Sequence, residues 1–149
     1  MAQDSQSLKF GDVAPSKWPG ERLGLPEEGP GSVGRVGRRV IAIFIDWIIA
    51  TMIGGSVAAR LGVAEHYVSL VVLGVFAIGQ IVFIPTLGGS LGHLVCGLRV
   101  VALKGGWIGL WRPVVRTVLL CLVIPVLVWD SDQRGFHDKI PGTVLIRAL

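Results

Sequence analysis

The sequence predicts an α-helical membrane protein. It should have two to three transmembrane helices, a small β-hairpin or strand element at the membrane surface, and a disordered N-terminal tail. Three observations carry this prediction. Val40 to Ala59 is a run of twenty residues in which Asp46 is the only charge. At about 1.5 Å of rise per residue it spans about 30 Å, the thickness of a bilayer core. Tyr67 to Leu87 is a second long run with no charge. The chain of 149 residues is 52% hydrophobic and 16% charged, too apolar for an ordinary soluble domain.

Residues 1–35 are rich in proline, glycine and charge, and hold few large aliphatic side chains. Such a segment buries too little apolar surface to offset its ordering entropy, so it reads as a disordered cytoplasmic tail. No signal peptide precedes the first apolar run, which should act as an uncleaved anchor. The transmembrane domain then covers residues 36–149. The first helix, 40–59, has a slim far end made by Gly54, Gly55, Ala58 and Ala59, which lets a neighbour approach closely. A short loop through Arg60 and His66 leads to the second helix, 67–87. That helix carries Gln80 and is interrupted by Gly74, Gly79 and Pro85.

Residues 88–97 are dense in glycine and suggest a tight turn and a short interfacial helix. Leu98–Leu103 and Trp107–Leu110 flank Gly105 and Gly106, the pattern of a hairpin. It should lie at the membrane surface, since an open sheet edge is not tolerated in lipid. A third membrane segment, about 113–129, is seventeen residues long, at the lower limit for a span. Trp111 and Trp129 bracket it as interface anchors, and Pro125 kinks it. Thr143–Ile146 is a second β-type run.

Arginine and lysine placement sets orientation. Arg35, Arg38 and Arg39 precede the first helix, and Arg99, Lys104 and Arg112 follow the second, whereas the loop between them has only Arg60. The N-terminus and the 88–112 segment are therefore expected in the cytoplasm. A full third crossing would put Arg134, Lys139 and Arg147 outside. If instead Thr143–Ile146 pairs with Leu98–Val101, the third segment is re-entrant or interfacial, so two and three crossings both stay open.

A carboxylate inside a membrane helix is costly and needs partners. Arg39 lies seven residues before Asp46, two turns away on one face, too far to bridge directly. Arg116 and Gln80 are the expected partners of Asp46. The carboxylate then serves either as part of a buried structural pair or as a proton or cation relay. His137-Asp138 is a second polar pair, able to gather with Arg38 or Arg39 if the chain ends on the cytoplasmic side.

Catalytic chemistry finds no footing. There is no nucleophile elbow, phosphate-binding loop, HExxH or CxxC pair. The spacing of His93, Cys96, His137 and Asp138 is not that of a metal site. No cofactor or metal is expected. Cys96 and Cys121, the two cysteines, form no disulfide framework. Net charge is +4, but without a basic stripe interleaved with aromatics no nucleic acid partner is expected.

The arrangement Arg39-x-x-Ala42-x-x-x-Asp46 resembles the opening signature of the RDD family of small integral membrane proteins. That family is named for one arginine and two aspartates. The second aspartate is similar to Asp138 in His137-Asp138-Lys-Ile-Pro-Gly142-Thr143-Val144. Gly89-Ser-Leu-Gly92, then Gly97-Leu-Arg99-Val-Val101 and Gly105-Gly106, resemble its middle segment. The likeness covers about residues 36–147. One position departs: the family commonly has a lysine where this chain has His93.

The resemblance implies a membrane protein of unsettled molecular function, with Arg39, Asp46 and Asp138 acting together and Arg38, Gln80, Arg116 and His137 as possible support. The expected function is a non-enzymatic structural or accessory component of the cell membrane, multi-pass, that assembles as a homo-oligomer or with a membrane protein partner. The alternative is a transporter or ion/proton antiporter subunit acting as an oligomer, with Asp46 in the pathway.

Overall fold

The computed structural model describes residues 16–122, Asp138 and residues 140–148. It is mostly helical, with one small antiparallel sheet. Helix α1 is Val36–Leu61 and α2 is Glu65–Leu87. Both are long and apolar enough to cross a membrane, with mean hydropathies of 2.1 and 2.4. Helix α3 is Leu91–Val95, strand β1 is Leu98–Ala102, helix α4 is Trp111–Cys121, and strand β2 is Thr143–Arg147.

Helix α1 buries Arg39, Ala42, Asp46, Ala50, Gly54 and Ala58. These recur every three or four residues and so form one stripe. Most are small, and that brings α2 close. A Cβ on Gly54 would lie 2.8 Å from Val72 Cα. The facing stripe on α2 is Val72, Phe76, Gln80 and Ile84, one residue per turn. Trp47 meets Phe76 edge-on, with ring centroids 5.4 Å apart. A lower apolar cluster of Ala50, Val72, Phe76 and Leu120 joins α1, α2 and α4. The outward residues Ile41, Phe44, Ile48, Met52, Leu70 and Ile78 stay exposed.

The sheet closes one end of this bundle. Strands β1 and β2 pair antiparallel, from Leu98 opposite Arg147 to Ala102 opposite Thr143. Ala42, Ile84, Leu98, Val100 and Leu145 form the cluster that seats the sheet on the helix ends. The Val100 N–H donates to Gly88 O at 2.8 Å, which ties β1 to the end of α2.

Four expectations change. First, the hairpin of Leu98–Leu103 with Trp107–Leu110 does not form. Gly105, Gly106 and Gly109 take positive φ, so the chain after the turn is not extended. The Trp107 indole instead donates to Pro85 O at 3.1 Å. β1 takes β2 as its partner, because Thr143, Val144 and Ile146 offer a β-branched edge.

Second, the tail expected to be disordered through residue 35 is structured in its second half. Glu21–Leu23 is a 3-10 turn. Residues 31–34 lie along the free edge of β2. Gly31 N–H donates to Arg147 O, Arg147 N–H to Ser32 O and Gly34 N–H to Leu145 O, each at 2.8 Å. Ser32 and Val33 are buried as a result. Backbone pairing to a fixed strand replaces the apolar burial that this segment lacks.

Third, α1 begins four residues before the apolar run, which places Arg39 inside the helix instead of before it. Fourth, the third segment begins as α4 at Trp111, close to where the chain later reaches β2. Trp111, Arg112, Ile140, Pro141 and Gly142 line one cavity of about 400 Å³. The part of that segment beyond Leu122, with Pro125 and Trp129, lies outside the described residues.

Candidate functional site

Two buried polar clusters occupy the sheet end of the α1 stripe. Asp46 organises the first. Its Oδ2 accepts from Gln80 Nε2 at 2.9 Å and from Ser90 Oγ at 2.5 Å. Its Oδ1 accepts from Gly92 N–H at 2.7 Å. One carboxylate from α1 thus takes donors from α2, from the α3 cap and from the α3 backbone. Such charge-assisted bonds are stronger than neutral ones.

The local sequence explains why α3 can reach it. Ser90 caps α3, and His93 at the third helical position returns a bond to the Ser90 backbone, a capping box with histidine in the usual Glu/Gln place. Gly92 then lies on α1 where a side chain cannot fit. A Cβ there would overlap Ala42 O and sit 3.0 Å from Asp46 Cγ. Ala42, midway between Arg39 and Asp46, is fully buried by this contact.

Arg39 and Asp138 organise the second cluster. Arg39 Nε donates to Gly34 O at 2.7 Å, Nη1 to Asp138 Oδ2 at 3.2 Å, and Nη2 to Leu145 O at 3.4 Å. The guanidinium therefore holds the strand-edge segment, the second aspartate and β2 at once. From α4, Arg116 Nε lies 2.7 Å from Asp138 Oδ1. This is an ion pair by distance, though the N–H is not aimed along a hydrogen bond. Both pairs are almost wholly buried. Arg116 Nη1 and Thr117 Oγ1 find no hydrogen-bond partner among the described residues. Thr143 Oγ1 donates to the Asp138 backbone carbonyl at 3.2 Å, which fixes the aspartate at the start of β2.

The structure thus joins Arg39 to Asp138, and Asp46 to Gln80, as expected. It separates Arg116 from Asp46. Arg116 sits in the second turn of α4, at the sheet end, and its cation meets Asp138. Arg38 is exposed and donates to Cys96 O at 3.2 Å, outside both clusters. His137 lies outside the described residues. Sequence reasoning missed Ser90 and Gly92, and treated His93 only as a weak metal ligand. The signal was present as Ser90-x-x-His93, an imperfect capping box.

Beside Asp46 lies a cavity of about 130 Å³ between α1 and α2, walled mainly by Ile49, Ile53, Phe76 and Phe83. Its polar rim is Asp46, Gln80 and Ser90, whose side chains are already bonded to one another.

The model of the RDD family matches residues 33–142, a stretch that contains Arg39, Asp46 and Asp138. No curated protein and no solved structure matches the chain.

Proposed function

The chain belongs to the RDD family, and from that premise we propose that it is a multi-pass integral protein of the cell membrane whose buried polar network holds helices and sheet in one arrangement. It acts without catalysis, as a structural or accessory component that assembles with itself or with another membrane protein. Only 22% of the apolar window in each long helix is buried by the rest of the chain, which leaves the outer faces for lipid or a partner. Arg35, Arg38, Arg39, Arg99, Lys104 and Arg112 all belong to the sheet end of the helices, and Arg60 to the other, which supports a cytoplasmic N-terminus.

One observation carries the reading. The two Asp46 oxygens hold three donors drawn from two other elements. A carboxylate so occupied is a tie between elements.

Asp46→Asn tests it. All three contacts are donors, and an amide puts its own NH2 group against at least one of them. A buried donor left unpaired costs about 1–3 kcal/mol. The variant should lose thermal stability in detergent and lose assembly. The transport alternative gains no support from the comparisons. It displaces the structural reading if Asp46→Asn inserts, folds and assembles as the wild type does, yet abolishes ion or solute flux in vesicles.

A further inference from the structure

Ser90 Oγ stands between two titratable groups. It is 2.5 Å from Asp46 Oδ2 and in still closer contact with His93 Nδ1. Ser90, His93 and Asp46 are 1%, 2% and 7% exposed. A serine hydroxyl has one proton to donate. If it goes to Asp46, the His93 contact is attractive only when Nδ1 carries a proton and donates to Oγ. If it goes to His93, the Asp46 contact is attractive only when the carboxyl is protonated and donates to Oγ. The Ser90 backbone N–H, 3.2 Å from Nδ1, can be accepted only in the second case, where Nδ1 is bare.

The two arrangements differ by a proton passed along the row. The Asp46 Oδ2–H bond breaks as a Ser90 Oγ–H bond forms. The original Ser90 Oγ–H bond breaks as His93 Nδ1–H forms. A neutral pair becomes a carboxylate and an imidazolium, and no other reactant is needed. We propose that Asp46, Ser90 and His93 form a proton-holding site, in which one proton is shared between carboxylate and imidazole through the serine hydroxyl.

The site also acts on the fold. With the proton on His93, the Ser90 N–H loses its acceptor and the α3 cap loosens. With the proton on Asp46, the capping box is complete. The charged and titratable groups on the elements packed around α3, among the described residues, are few. Helix α1 contributes Asp46 itself, Arg38 at Cys96 O and Arg39 at Asp138. Cys96 ends α3 and Arg99 is the exposed cation of β1. Helix α2 presents the neutral Gln80. None stands between Ser90 and either end of the row.

The inference rests on the proposed function only in taking Asp46 as buried within the helix packing. Its test uses the full chain in lipid nanodiscs, from about pH 5 to about pH 8. The His93 Nδ1 resonance, identified by its loss in His93→Gln, is followed beside the infrared band of protonated Asp46, identified by its loss in Asp46→Asn. Glutamine at this position can complete a capping box, so that variant keeps the α3 cap. In the wild type the two signals should change together, as a coupled pair. Ser90→Ala should move the two transitions apart by about one pH unit or more, and Ser90→Thr should keep them together. Independent titration in the wild type, or no protonated Asp46 across the range, overturns the proposal without need of any variant. Normal folding of Asp46→Asn would instead overturn the packing reading and leave the wild-type co-titration standing.

Discussion

Gly92 donates its backbone N–H to Asp46 Oδ1 at 2.7 Å while its Cα rests against Ala42 O. The bond and the close approach depend on each other. The amide reaches the carboxylate only because no side chain holds α3 away from α1.

Gly92→Ala should therefore break more than a contact. The new Cβ overlaps Ala42 O and crowds Asp46 Cγ, so α3 must lift away and take Ser90 with it. Overpacking of this kind costs about 1–3 kcal/mol. Gly74→Ala is the control, since a Cβ there meets nothing within 4 Å. Thermal unfolding in detergent should show a clear loss for the first and none for the second. Equal behaviour of the two would mean that α3 does not depend on Gly92.

Asp138 is the single carboxylate between two guanidinium groups, Arg39 and Arg116. Removing one partner of a buried pair costs about 3–5 kcal/mol, because it strands the other charge. Asp138→Asn should reach that range. Arg116→Met should then recover part of the loss in the Asp138→Asn background, since it removes one of two stranded cations. A double-mutant cycle in denaturant measures the coupling. Simple additivity would show that Arg116 and Asp138 do not act as a pair.

How much of this was legible follows from sequence distance. Arg39 and Asp46 share a helix, and a spacing of two turns placed them on one face without structural information. Gln80 was readable as a donor because it is the lone amide in an otherwise apolar helix. The partnership of Arg39 with Asp138 spans 99 positions and came from the family resemblance alone. Arg116 was assigned to the wrong aspartate because a helical face does not say which end of a neighbouring helix it meets. The hairpin failed for a related reason. A Gly-Gly turn is a local signal, whereas the true partner of β1 lies more than forty residues away. Ser90 and Gly92 were hidden in a glycine-dense stretch that reads as a turn, where a five-residue helix has too few positions to show a period.

Cys96 offers a chemical check on the α3 end. Burial pushes its thiol up, Arg38 draws it back, and Asp46 adds to the rise. The thiolate is the species that reacts. Alkylation at neutral pH should be slower than for a free cysteine and should accelerate as pH rises. Arg38→Gln removes the cation that favours the thiolate, so it should slow the reaction further. Faster alkylation in that variant would mean that Arg38 shields the sulfur instead of charging its surroundings.

The sheet makes a prediction about sides. Residue 33 before α1, β1 after α2, and β2 near the C-terminus form one hydrogen-bonded set. Strands of one sheet cannot lie on opposite faces of a bilayer, because the backbone between them would be unpaired in lipid. Reporters fused before Val33 and after Arg147 should therefore give the same side, and a cysteine at Arg60 in the loop between α1 and α2 should label from the other. A chain with three full crossings would put the two fusions on opposite sides. That result would require Leu98 and Arg147 to part, and with them the contact of Arg39 with Leu145 O that anchors the network.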